Sequence, residues 1–137
     1  MTDPTIRLSP NAITVLERRY LKKNQNSEVI ETPEEMFRRV SQTIAEIERE
    51  HDPEADTQAL ADRFFRLMAQ TDFLPNSPTL MNAGTPLGQL AACFVIPVED
   101  SVEGIFRALA DMARIHQTGG GTGFGFSRLR PRGDLVG

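Results

Sequence analysis

At 137 residues, 39% of them apolar and 25% charged, the chain has the length of one domain with a real core and is short for two ordinary ones. Its formal net charge of -4 lacks the cationic surplus on which general nucleic-acid binding runs, so any anion site must be local. A single cysteine excludes an internal disulfide, and the two histidines, His51 and His116, are too far apart in sequence to give a metal-ligand spacing.

The opening MTDPTIRLSP lacks the basic-then-apolar order of a secretion signal. No apolar run approaches the roughly 20 residues that span a bilayer, so a cytoplasmic location without membrane contact is expected. Ser9-Pro10 then offers an N-cap followed by proline in the first turn, and Ile13, Leu16 and Tyr20 fall on one helical face until the polar break at 22–27. Thr32-Pro33-Glu34-Glu35 is a capping box. Phe37, Val40, Ile44 and Ile47 recur behind it at helical spacing until His51-Asp52-Pro53 stops the run. Between Ala55 and Ala69 a third helix is predicted, with Leu60, Phe64, Leu67 and Met68 facing inward. The three helices are expected to share a core with their charged residues solvated, which makes residues 1–72 a helical N-terminal domain.

From residue 73 the grammar changes. Pro75, Pro78, Gly84, Pro86 and Gly88 forbid a long helix and mark loops and turns; Asn76-Ser77-Pro78-Thr79 reads as a loop with two hydroxyls. Leu90 to Val98 is a short apolar run with a β-branched centre, which predicts a buried strand. Asp100-Ser101 caps a helix over 101–117 whose Val102, Ile105, Phe106, Leu109, Met112 and Ala113 form one wide apolar stripe. That stripe fits burial in this chain's own core or contact with a helix of a second subunit. A strand feeding a helix makes 73–137 the beginning of an α/β layer.

After Gln117 the run Gly119, Gly120, Gly121, Gly123 and Gly125 predicts a tight loop and then a second short strand. Backbone freed of side chains can bring N–H groups to phosphate or ribose oxygens. Neither the Lys-Ser/Thr ending of a P-loop nor GxGxxG is present. Arg128, Arg130 and Arg132 alternate, as on one side of an extended strand, and guanidinium groups fork onto phosphate oxygens. By its composition alone Cys93 reads as a buried, inert thiol, since free cysteine behaves as a small hydrophobe.

Together, NSPTLMNAGTP, LAACFVIPVEDS and HQTGGGTGFGFSRLRPRG resemble the start of the large catalytic subunit of ribonucleotide reductase. SPNAITVLERRYL and ETPEEMF are similar to the opening of its adenosylcobalamin-dependent class II members. The resemblance implies a helical N-terminal domain followed by the first elements of a ten-stranded α/β barrel. It implies reduction of ribonucleotides to 2'-deoxyribonucleotides for DNA synthesis by a radical mechanism, with adenosylcobalamin as cofactor and a thioredoxin-type reductant.

By position, Cys93 matches one of the two redox cysteines, which reverses the inert reading. Ser77 matches the residue that binds substrate phosphate. Ala92, next to the cysteine, and Gly121, in the 119–123 loop, match substrate contacts. Asp100, Ser101 and Arg130 match contacts of a deoxynucleotide effector, and the 101–117 helix would join a homodimer. The radical cysteine, the second redox cysteine, the catalytic Asn and Glu and most of the cobalamin contacts would lie beyond Gly137, so the chain looks truncated and is expected to turn over nothing alone. Met1 to Leu16 is too short for the extra helical cone of many reductases. Two alternatives stand beside this reading: a non-catalytic nucleotide-binding or dimerising module that keeps the effector site, and a class I large subunit.

Overall fold

A computed structural model of the chain describes residues 6–135. Met1–Thr5 and Val136–Gly137, on which the expectations about a leader and about the chain's end partly fall, lie outside the described residues. The element order is α1 (Pro10–Arg19), α2 (Pro33–Glu46), a 3-10 turn (Ile47–Glu50), α3 (Thr57–Ala69), α4 (Ser77–Asn82), β1 (Cys93–Pro97), α5 (Val102–Gln117) and β2 (Gly121–Gly125). The chain divides into two compact units, Met1–Leu90 and Ala91–Gly137, the first helical and the second a β-α-β unit with an open two-stranded sheet.

Local sequence explains where the helices of the first unit begin. Ser9 Oγ accepts from Ala12 N–H at the head of α1, and Asp56 Oδ1 accepts from Ala59 N–H at the head of α3. At α2 the capping box is complete, with Thr32 Oγ1 accepting from Glu35 N–H at 3.2 Å and Thr32 N–H donating to Glu35 Oε2 at 2.7 Å. The Thr32 backbone N–H, and next its hydroxyl, favour the carboxylate and hold Glu35 below its ordinary value of 4.5. A depressed folded value means that this contribution is present above the unfolded carboxyl range and is lost as pH falls through the lowered value. Thr32→Ala removes a cap worth about 1 kcal/mol. Its effect in urea unfolding is expected to shrink once acid has protonated Glu35.

The core of this unit gathers Leu21, Met36, Phe37, Val40, Phe65, Met68, Ala69, Leu80 and Ala83, with Leu16 and Tyr20 packed against it. Two details of the predicted faces are corrected. α3 buries Ala61, Phe65, Met68 and Ala69, a face one residue along from Leu60, Phe64 and Leu67. Phe64 and Leu67 instead line an apolar groove of about 260 Å³ with Val40, Ile44 and Phe73. Ile47 is half exposed because the chain tightens to three residues per turn there and rotates it off the stripe.

The segment after α3 stays with the helices. Leu80 and Ala83 bury in the core, and the expected loop at Asn76–Thr79 is the head of α4, where Pro78 is tolerated because it occupies the first turn. Not every charged residue is solvated, either. Arg39 and Glu31 form an ion pair with side chains 10% and 7% exposed. Nε reaches Oε1 at 2.6 Å and Nη2 reaches Oε2 at 2.9 Å. Arg39 also donates to the carbonyls of Leu80 and Ala83, and Lys22 N–H donates to Glu31 Oε2. One guanidinium thereby ties α2, the 22–31 turn and the end of α4 together. Gly84, at φ +66°, is needed beside it, since a Cβ there would lie 2.8 Å from Thr43 Oγ1 and 3.1 Å from Arg39 Cγ.

In the second unit β1 and β2 run parallel with Cys93 opposite Gly121 and Pro97 opposite Gly125. Parallel neighbours need a crossover, which α5 supplies. Ile96, Val98 and Ala108 form its small core, with Met112, Ile115 and Leu129 against them. Three expectations are corrected here. β1 is shorter than Leu90–Val98, and only Ile96 of its five residues is buried, because β2 alone flanks it among the described residues. The expected second short strand forms, but it begins at Gly121, so Gly121 and Gly123 belong to β2 rather than to the loop, and of the run only Gly119 takes positive φ. Beyond β2 the three arginines lie on no strand: Arg128 and Arg132 sit in turns, where Leu129 N–H bonds to Phe126 O and Asp134 N–H to Pro131 O, and Arg130 lies between them. Pro131 has no N–H for a ladder, and Gly133 adopts φ +100°.

Candidate functional site

Cys93 opens β1, and its thiol is exposed, which corrects the buried reading. Gly121 is its register partner, and Gly121 N–H donates to Ala92 O at 2.8 Å. A Cβ at position 121 would lie 3.6 Å from Ala92 O and 3.9 Å from Cys93 Sγ. These are ordinary contact distances, so glycine at this point relieves no clash and leaves the space beside the sulfur open. Ala92, Cys93 and Gly121 are therefore brought together at the starting ends of the two strands.

At the other ends of the same strands stands a charged cluster. Arg130 Nε meets Asp100 Oδ2 at 2.7 Å, and Arg130 Nη1 donates to Leu135 O at 2.7 Å. Next to this pair Arg128 bonds to Glu99. Two consecutive acids before α5 thus hold two alternate arginines after β2. All four side chains are about a third exposed or more, so the pairs are worth little as stability and remain open to competition by another anion. Ser101 caps α5, its Oγ accepting from Gly104 N–H at 3.0 Å; this uses an oxygen lone pair and leaves the hydroxyl proton free to donate. Arg130 is thus paired with Asp100, and Ser101 follows Asp100 at the head of α5.

Ser77 belongs to the helical unit. It is exposed in the first turn of α4, where Asn76 Oδ1 accepts from Thr79 N–H at 2.9 Å. The Ser77 hydroxyl lies 2.9 Å from the Tyr20 hydroxyl.

The apolar stripe of α5 divides into two faces. Ala108 is buried, with Met112 and Ile115 against the small core, whereas Val102, Ile105, Phe106 and Leu109 are exposed, Phe106 by 64%. The stripe therefore exceeds what this unit's own core covers.

Several contributors are invisible to pattern reading. Glu99 and Arg128 pair across 29 positions. Gly104 is required because a Cβ there would fall 2.7 Å from Glu99 Cβ; a glycine inside an otherwise good helix was the available signal. Tyr20 was legible only as a member of a helical face. Among the described residues no group of three or more His, Cys, Asp or Glu could hold a metal ion, and no helix is long and apolar enough to cross a membrane.

Comparison with known proteins adds two family matches, to "Ribonucleotide reductase, all-alpha domain" over residues 6–88 and to "Ribonucleotide reductase, barrel domain" over residues 91–137. Similar curated proteins include the vitamin B12-dependent ribonucleoside-diphosphate reductase of Thermoplasma acidophilum, 41% identical over an alignment of 186 residues that takes in 96% of this chain and 24% of the relative. The enzyme of the same name from Mycobacterium tuberculosis is 45% identical over 131 residues, 96% of this chain and 19% of the relative. A ribonucleoside-diphosphate reductase large subunit of Arabidopsis thaliana is 38% identical over 122 residues, 88% and 14%. The chain thus spans about a quarter or less of the length of these relatives.

Proposed function

Since the chain belongs to the ribonucleotide reductase large-subunit family, we propose that it forms the N-terminal part of an enzyme that reduces ribonucleotides to 2'-deoxyribonucleotides. The exposed Cys93 thiol, set beside the open space at Gly121, is the observation that carries this reading. Cys93 and a second thiol elsewhere in the complete protein supply two electrons. The ribose C2'–O bond breaks, the oxygen leaves as water, and an S–S bond forms between the two sulfurs. A thioredoxin-type dithiol then returns the pair to the reduced state. The Ala92 carbonyl is committed to Gly121 N–H, so both residues approach the substrate as a fixed stretch of backbone, and Ser77 donates to its phosphate.

Asp100, Ser101 and Arg130 hold a deoxynucleotide effector in this reading, with the acid and the serine on the nucleoside and the arginine on phosphate. Because the strands are parallel, the effector cluster sits at one end of the β1–β2 pair and the thiol at the other. The paired strands between them are each five residues long, a short path for coupling the two. The exposed face of α5 packs on the same face of a second copy, burying Val102, Ile105, Phe106 and Leu109.

The names of the vitamin B12-dependent relatives support adenosylcobalamin, which supplies the initiating radical when bound. No residue of this chain is assigned to hold it. A class I enzyme would instead need a separate radical-generating subunit.

A turnover assay on the full-length protein, with ribonucleotide, adenosylcobalamin, a dithiol and increasing deoxynucleotide effector, tests the proposal. Deoxynucleotide is expected to form. Arg130→Ala is expected to need on the order of 10- to 100-fold more effector for the same stimulation, as loss of a charge-assisted hydrogen bond implies. Absence of conversion under these conditions, or an unchanged effector requirement in the variant, would count against it.

A further inference from the structure

We infer that Tyr20 is a positioning residue for the substrate-phosphate subsite, acting through Ser77; this rests on the reading of Ser77 as a phosphate ligand. Ser77 is exposed, and an unrestrained serine hydroxyl turns among three staggered rotamers. The Tyr20 hydroxyl, 2.9 Å away, selects one of them.

Tyr20 is itself well fixed. Its backbone caps α1, with its N–H bonded to Leu16 O at 2.8 Å, and the next residue, Leu21, is buried in the core. Its ring packs against that core and lines an apolar groove of about 350 Å³ with Leu16, Phe37, Leu74 and Leu80. Leu74 and Leu80 flank Ser77 in sequence, so the same groove seats the ring and the segment that carries the serine.

Phosphate oxygens accept hydrogen bonds and do not donate. When Ser77 gives its one proton to a phosphate, its oxygen can only accept from Tyr20, so the phenol O–H donates to Ser77 and Ser77 donates to the ligand. Each bond in such a chain polarises the next. Tyr20 touches no reacting atom and leaves the chemical step alone; its contribution lies in substrate binding.

The test uses the full-length protein in steady-state turnover and thermal unfolding. Tyr20→Phe keeps the ring in the groove and removes only the hydroxyl. It is expected to raise KM for the ribonucleotide about 2- to 10-fold, the factor carried by one neutral hydrogen bond, with kcat and the unfolding midpoint little changed. Ser77→Ala is expected to raise KM at least as much, and the double variant no more than Ser77→Ala alone. An unchanged KM in Tyr20→Phe alongside a raised KM in Ser77→Ala would overturn the role of Tyr20 and leave that of Ser77 standing. Fully additive effects, or a fall in kcat that tracks a lower unfolding midpoint, would also overturn it. A Ser77→Ala variant with parental KM would sink the underlying assignment of Ser77 itself.

Discussion

Cys93→Ser in the full-length protein is expected to reduce deoxynucleotide formation to background while effector binding stays at the parental level. Serine is close in size and keeps a polar group at the mouth of β1, but it cannot form a disulfide, so the electron pair that removes the 2' oxygen has no donor. The fold has little at stake in the change, because the thiol is exposed and belongs to neither core cluster. Effector binding does not use the sulfur itself: Asp100 and Arg130 lie beyond the far ends of the strands that Cys93 and Gly121 begin. The measurement is turnover with a dithiol as reductant, paired with titration of a deoxynucleotide. Turnover near the parental rate would remove Cys93 from the chemistry, and joint loss of turnover and effector binding would mark a folding defect.

A second large effect is expected in stability. Arg39→Ala should lower the stability of the chain by about 3–5 kcal/mol, the range for breaking a buried ion pair from one side. Glu31, 7% exposed in the intact pair, would keep the Lys22 N–H as the one remaining donor to its carboxylate among the described residues, and the carbonyls of Leu80 and Ala83 would lose the Arg39 donor. Arg39→Lys should recover only part of the loss, because an ammonium cannot fork onto both carboxylate oxygens while reaching two carbonyls. Urea unfolding followed by helical circular dichroism gives the numbers. A loss below about 1 kcal/mol for Arg39→Ala, the range of an exposed pair, would show that the pair is not buried in solution.

Features written in adjacent residues are legible in the sequence itself. The capping box at Thr32–Glu35, the Ser9 and Ser101 caps and the period of α2 depend on contacts three or four positions apart, and all of them are present. Arg39 is not legible in this way, since it stands in a charge-rich helix like its solvated neighbours and its acceptors at Leu80 and Ala83 are 41 and 44 positions away. The bounds of β2 are hidden for a related reason: glycine has little intrinsic preference for a strand, and Gly121–Gly125 is held extended by pairing with β1. The alternation of Arg128, Arg130 and Arg132 suggests a strand, but Pro131 and Gly133 decide the backbone there.

For the candidate site, residue types are easier to find than their arrangement. Asp100 and Arg130 each stand out in their motifs, while their direct pairing at 2.7 Å depends on how the ends of β1 and β2 are brought side by side. The wide stripe of α5 is visible in sequence, yet its division into a buried line at Ala108, Met112 and Ile115 and an exposed line at Val102, Ile105, Phe106 and Leu109 requires the sheet to be in place. The Tyr20–Ser77 contact spans 57 positions and joins two segments that local pattern reading treats separately.

The role of Cys93 as an electron donor is tested most directly by a single turnover without external reductant. The full-length protein is reduced, freed of dithiol, given ribonucleotide, effector and adenosylcobalamin, then quenched with an alkylating reagent and mapped by mass spectrometry. Deoxynucleotide should appear in no more than the amount of reduced enzyme, with Cys93 protected from alkylation and recovered in a disulfide. Formation of deoxynucleotide while Cys93 remains fully alkylated would contradict the assignment.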